Sequence, residues 1–98
     1  MHNDGETGQA IHMVISGRVQ GVWYRAWTQK TATQLGLIGW VRNRSDGTVE
    51  AVFSGPAATV GEMVKLCRKG PVLARVTGIC QNPVERPDGL EFRLLPTL

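Results

Sequence analysis

Apolar and polar positions change period several times along this chain. Ile11 to Ser16 alternates loosely and is rich in β-branched residues, which predicts a strand. Gly17-Arg-Val-Gln-Gly21 punctuates it. Tyr24, Trp27, Thr28, Thr31, Ala32 and Leu35 then recur at steps of three and four, one face of an amphipathic helix, and Gly36 suits its stop. Leu37 to Asn43 reads as a strand, Arg44-Ser-Asp-Gly47 carries an Asp-Gly turn, and Thr48 to Phe53 is the hairpin partner. Pro56 suits a helix start. Val60, Met63, Val64 and Cys67 form a second helical stripe, closed by Gly70-Pro71. Val72 to Cys80 is a strand anchored by Val76 and Ile79, Pro83 to Gly89 a loop, and Leu90 to Leu94 a short last strand.

The order is βαββαβ, with a possible fifth short strand. Two helices separated by a hairpin predict an α+β, ferredoxin-like sandwich: an antiparallel sheet of four to five strands with both helices on one face. Residues 1–9 are polar and expected to be a disordered tail, leaving 10–98 as a single domain. The chain has 98 residues with 42% hydrophobic and 19% charged, enough for a core and too little charge for general disorder. No apolar run approaches the roughly 20 residues that span a bilayer. The first ten residues lack the basic and apolar regions of a secretory leader, so a cytoplasmic protein is expected. Cys67 and Cys80 are too few for a disulfide framework or a zinc site, and both are expected to be buried reduced thiols.

The net charge of +3, from 11 basic and 8 acidic residues, says little by itself. Its distribution says more. Between Glu6 and Asp46 lie Arg18, Arg25, Lys30, Arg42 and Arg44 and no acidic residue. Either these make an ordinary solvated basic face, or the chain folds them into a positive field suited to a small anion.

The turn before the first helix breaks local rules. Gln20, Gly21, Val22 and Trp23 offer no short oxygen-bearing side chain to cap the helix, and Arg25 sits in the first turn, where the macrodipole disfavours a cation. An anion held by the loop N–H groups and Arg25 would explain both, with Gly17 and Gly21 letting the backbone curl around it. An ordinary glycine turn beside a surface arginine fits the local pattern equally well. Asn43 is the second oddity, since asparagine is depleted in strands. It is either a simple strand-terminal residue or a site residue. A strand–helix–strand crossover makes the first two strands parallel, so their C-terminal ends reach the same sheet edge. There the glycine turn and Asn43 share a location where α/β crossovers commonly hold ligands.

No Ser–His–Asp set, cysteine or close carboxylate pair accompanies that edge. His12, inside the first strand, reads as structural, and magnesium has no obvious ligands. The chemistry must then run on positioning and charge stabilisation. An acyl phosphate suits this, because its carboxylate leaves without a strong general acid.

Gly17-Arg-Val-Gln-Gly-Val-Trp-Tyr-Arg25, Gly39-Trp-Val-Arg-Asn43 and Asp46-Gly-Thr-Val-Glu50 resemble the acylphosphatase family, as does the later Gly70-Pro-Val-Leu-Ala-Arg-Val76. The similarity covers roughly residues 10 to 94. It implies a hydrolase that converts an acyl phosphate and water into a carboxylate and inorganic phosphate, the latter both product and inhibitor. The family's catalytic arginine and asparagine fall on Arg25 and Asn43. Its phosphate-binding loop falls on Gln20, Gly21, Val22, Trp23 and Tyr24, leading into Arg25. No metal or cofactor is implied, no membrane partner, and a monomer is expected. Tyr24 stands where phenylalanine is common, and its hydroxyl needs a partner if buried. The ending, Arg93-Leu-Leu-Pro-Thr-Leu98, lacks an aromatic residue found in many members, which implies weaker support of the last strand.

Two rivals share the fold. An RNA-binding module needs aromatic residues on the central strands for base stacking. Ile11–Ser16 has none and Thr48–Phe53 only Phe53, so no specific nucleic-acid partner is expected. A non-catalytic anion-binding domain would keep the pocket without turnover.

Overall fold

Alternation along the strands divides their side chains between a helix-covered face and an open face. The computed structural model describes residues 8–98. In order they form β1 (Gly8–Arg18), α1 (Tyr24–Gln34), β2 (Ile38–Asn43), β3 (Val49–Pro56), α2 (Ala57–Lys69), β4 (Arg75–Pro83) and β5 (Phe92–Leu94). Gly8 and Gln9, expected in the tail, belong to β1 and pair with Pro56 and Gly55; the rest of that tail lies outside the described residues.

The strands lie side by side in the order β4-β1-β3-β2-β5. β1 pairs antiparallel with β3 and β4, and β3 antiparallel with β2. β1 and β2 therefore run parallel without touching. The short β5 departs from the expected antiparallel arrangement: it joins β2 in parallel, with Gly39 opposite Phe92. The sheet is mixed, and the fold is the ferredoxin-like α+β sandwich that the pattern predicts.

The inward residues of the strands, Met13, Ile15, Val41, Ala51 and Phe53, pack in one cluster with Tyr24 and Ala32 of α1 and Val60, Met63 and Cys67 of α2. Both helical stripes thus face the same layer. Phe92 stacks on Phe53 with ring centroids 5.4 Å apart and fixes β5 against the core. The fourth strand starts later than its apolar residues suggest. Val72 and Leu73 are 98% and 60% exposed in a turn after Pro71, and β4 begins at Arg75.

Cys67 is buried in α2, as expected, but Cys80 is exposed. Cys80 pairs with Val14 across β1 and β4, and Val14 alternates with the inward Met13 and Ile15. Cys80 therefore stands on the open face. His12 shares that face, where its Nε2 lies 2.7 Å from Glu50 Oε2. Arg42 Nε donates to the other Glu50 oxygen at 2.7 Å, and its guanidinium lies over Trp40. The five basic residues of the acid-free stretch therefore do not converge, since Arg42 is spent on the far side of the sheet.

Candidate active site

The bend from β1 to α1 is built from backbone conformations that most residues avoid. β1 shifts register between Ser16 and Gly17, a bulge, and Gly17 has φ +122°. A Cβ there would run into the Arg75 carbonyl, so only glycine lets β1 pass β4 so closely. Gly21 follows at φ +75°. Trp23, the N-cap of α1, is left-handed at φ 70° and ψ 19° and makes no side-chain cap. It is the one non-glycine residue with positive φ among the described residues, a conformation that costs an L-residue roughly 1–2 kcal/mol.

These dihedrals leave donors open. Among the described residues, the backbone N–H groups of Gln20 through Arg25 find no backbone acceptor. Helix starts ordinarily satisfy such groups with a cap. No acidic residue stands in the first turn. The carboxylates that pair with basic side chains among the described residues are Glu50 and Asp46, and neither pairs with Arg25. The bend thus combines free N–H groups, the positive end of a helix and an unneutralised guanidinium.

Asn43 ends β2 at the same sheet edge. Its Oδ1 is buried without a hydrogen-bond partner. An orphaned acceptor of this kind costs about 1–3 kcal/mol, a cost that the packing of the fold does not explain. Gly21, Trp23, Tyr24, Arg25 and Asn43 line one cavity of about 320 Å³, together with Val19 and Leu94. Another cavity, at the opposite end of β1 and β3, also holds an arginine, Arg86, but no buried orphan amide.

Two residues of the expected phosphate loop contribute differently. The Val22 side chain is buried in the core. The Gln20 side chain turns away and donates from Nε2 to the carbonyls of Arg44 at 2.8 Å and Thr48 at 2.9 Å. It ties the bend to the β2–β3 turn that begins just after Asn43. Asp46 organises that turn by accepting from the Thr48 N–H at 3.0 Å and the Thr48 hydroxyl at 2.6 Å. Those bonds, that of the hydroxyl foremost, hold the Asp46 carboxyl below its usual range.

Tyr24 anchors the bend from below. Its hydroxyl donates to the Cys67 carbonyl at 2.6 Å, and its ring meets Trp27 edge to face. Burial drives its ionisation far above the ordinary range, so it remains a donor. The same burial pushes the Cys67 thiol up to about 12 and makes it inert.

The C-terminal residues add a brace that the side chains do not announce. Leu95 N–H donates to the Val41 carbonyl at 2.9 Å, and Leu98 N–H to the Asn43 carbonyl at 3.0 Å. The ending without an aromatic residue thus makes main-chain bonds to the very strand that carries Asn43.

A family model described as Acylphosphatase matches residues 11–93. The chain belongs to the acylphosphatase family. It is 58% identical over 84 residues to an acylphosphatase of Rhodospirillum rubrum, covering 86% of this chain and 92% of that one. It is 52% identical over 93 residues to an acylphosphatase of Nitrobacter hamburgensis, covering 88% and 93%. Its fold superposes on the acylphosphatase structure from Coxiella burnetii with a TM-score of 0.86 at 34% identity, over 90% and 93% of the two chains. It is an acylphosphatase, a hydrolase of acid anhydrides that cleaves small acyl phosphates to a carboxylate and inorganic phosphate. No helix among the described residues is long and apolar enough to cross a membrane.

Proposed function

We propose that Arg25 and Asn43 are the catalytic residues of this acylphosphatase, and that the N–H groups from Gln20 to Arg25 form its phosphate cradle. The observation that carries this reading is the pairing of an unneutralised guanidinium with a buried orphan amide oxygen on one cavity wall. The cradle and Arg25 hold the phosphoryl oxygens, with bidentate geometry natural to a guanidinium. Asn43 Oδ1 accepts a hydrogen bond from a water molecule and aims its lone pair at phosphorus. The new O–P bond forms as the bond from phosphorus to the acyl oxygen breaks. The carboxylate leaves with that electron pair, and the water's surplus proton passes to a phosphate oxygen. An amide is no base near neutral pH, so Asn43 positions and does not deprotonate.

No group of three or more potential metal-ligating side chains is present among the described residues. One chain supplies all the named residues, so a single copy suffices for the site. Inorganic phosphate, the product, competes for the cradle. An exposed free thiol at Cys80 suits the reducing cytoplasm.

The test is hydrolysis of benzoyl phosphate in the presence of a chelator. Arg25→Ala should lose about a hundredfold or more in turnover and weaken phosphate inhibition, as removal of a transition-state donor does. Asn43→Ala should lose turnover but keep phosphate inhibition. Equal loss of both in the Asn43 variant would contradict its role.

A further inference from the structure

We propose that the Trp23 side chain, together with Leu94, binds the acyl part of the substrate and gives this enzyme a preference for aromatic acyl phosphates over acetyl phosphate. The proposal rests on the reading that Arg25 and the cradle hold the phosphoryl end. Trp23 is 77% exposed, and it is the one aromatic ring left mainly in water among the described residues. A large apolar side chain exposed to this degree gains little from the fold. Its backbone is also left-handed, where glycine is at ease and a bulky residue is not. Neither packing nor conformation accounts for tryptophan here, and such strain persists characteristically where a ligand uses it.

The location supplies the use. Trp23 lines the same cavity as Arg25 and Asn43, and Leu94, 39% exposed at the end of β5, lines it too. The volume of about 320 Å³ is roughly ten times a liquid water's share of about 30 Å³, which leaves room beyond a phosphoryl group. An acyl phosphate held by its phosphate must extend its acyl group toward the cavity rim. An indole face and an isobutyl group at that rim match a flat apolar ring, whereas a methyl group reaches little of either.

The experiment compares kcat/KM for benzoyl and acetyl phosphate in the wild type, Trp23→Gly and Trp23→Phe. Glycine tolerates φ 70°, so the first variant keeps the backbone it needs. An aromatic contact contributes about 0.5–1.5 kcal/mol, so the benzoyl-to-acetyl ratio should fall about two- to tenfold in Trp23→Gly, chiefly through KM, and recover in Trp23→Phe. A ratio unaltered in Trp23→Gly would overturn the proposal and leave the phosphate site standing. Arg25→Ala, assayed alongside, separates the two: full turnover of both substrates there would defeat the phosphate site itself.

Discussion

Tyr24→Phe removes a single oxygen, and its cost can be worked from the geometry. Cys67 lies in the last turn of α2, where helical carbonyls lack partners. The residue four positions on is Pro71, which has no N–H to offer. The Tyr24 hydroxyl fills that gap at 2.6 Å in a buried setting. Phenylalanine keeps the ring and its edge contact with Trp27 but leaves the carbonyl dry and unpaired. The expected loss is about 1–3 kcal/mol. For a chain of this size each kcal/mol moves Tm by roughly 4–8 °C, so the drop should exceed about 4 °C. Urea unfolding followed by circular dichroism should show a lower midpoint at unchanged slope. The backbone N–H of residue 24 survives the change, so kcat/KM well below the melting temperature should differ little. A midpoint equal to the wild type would show that the hydroxyl contributes nothing and that this tie between bend and α2 is idle.

Gln20→Leu should cost about 1–3 kcal/mol, since two neutral hydrogen bonds to the Arg44 and Thr48 carbonyls are lost. It should also lower kcat by about ten- to a hundredfold, because the turn next to Asn43 loses its tie to the cradle; wild-type stability and kcat together would refute the tie. Burial works to raise the Glu50 ionisation, but the bonds from His12 and Arg42 outweigh it and hold the carboxyl below its ordinary 4.5. That stabilisation is present above 4.5 and fades as the pH falls through the lower folded-state value, so Glu50→Gln should be less stable than wild type near neutral pH and approach it in acid. Denaturation midpoints at the two pH values check this, and a constant gap would contradict it.

Much of the fold was legible because burial has a period. The stripe from Tyr24 to Leu35 and that from Val60 to Cys67 each mark a helix, and the Asp46-Gly47 turn marks a hairpin. Topology alone puts Asn43 and the glycine turn at one sheet edge. What stayed hidden was carried by the main chain or by distant partners. The parallel pairing of β5 and the brace from Leu95 and Leu98 are backbone bonds with no side-chain signature. Gln20 finds its partners 24 and 28 positions away, so its spacing announces nothing. Cys80 departs from the expected burial because an alternating strand does not say which of its faces the helices cover. Val72 and Leu73 extended the apparent fourth strand because apolar turn residues mimic one.

Orthophosphate titration followed by amide NMR addresses the cradle itself. The N–H resonances from Gly21 to Arg25, with the Arg25 side-chain Nε–H, should move together along one saturable curve in the wild type and lose that response in Arg25→Ala. Silent resonances across this bend would mean that phosphate binds elsewhere or not at all, and an unchanged response in the variant would mean that Arg25 does not hold it.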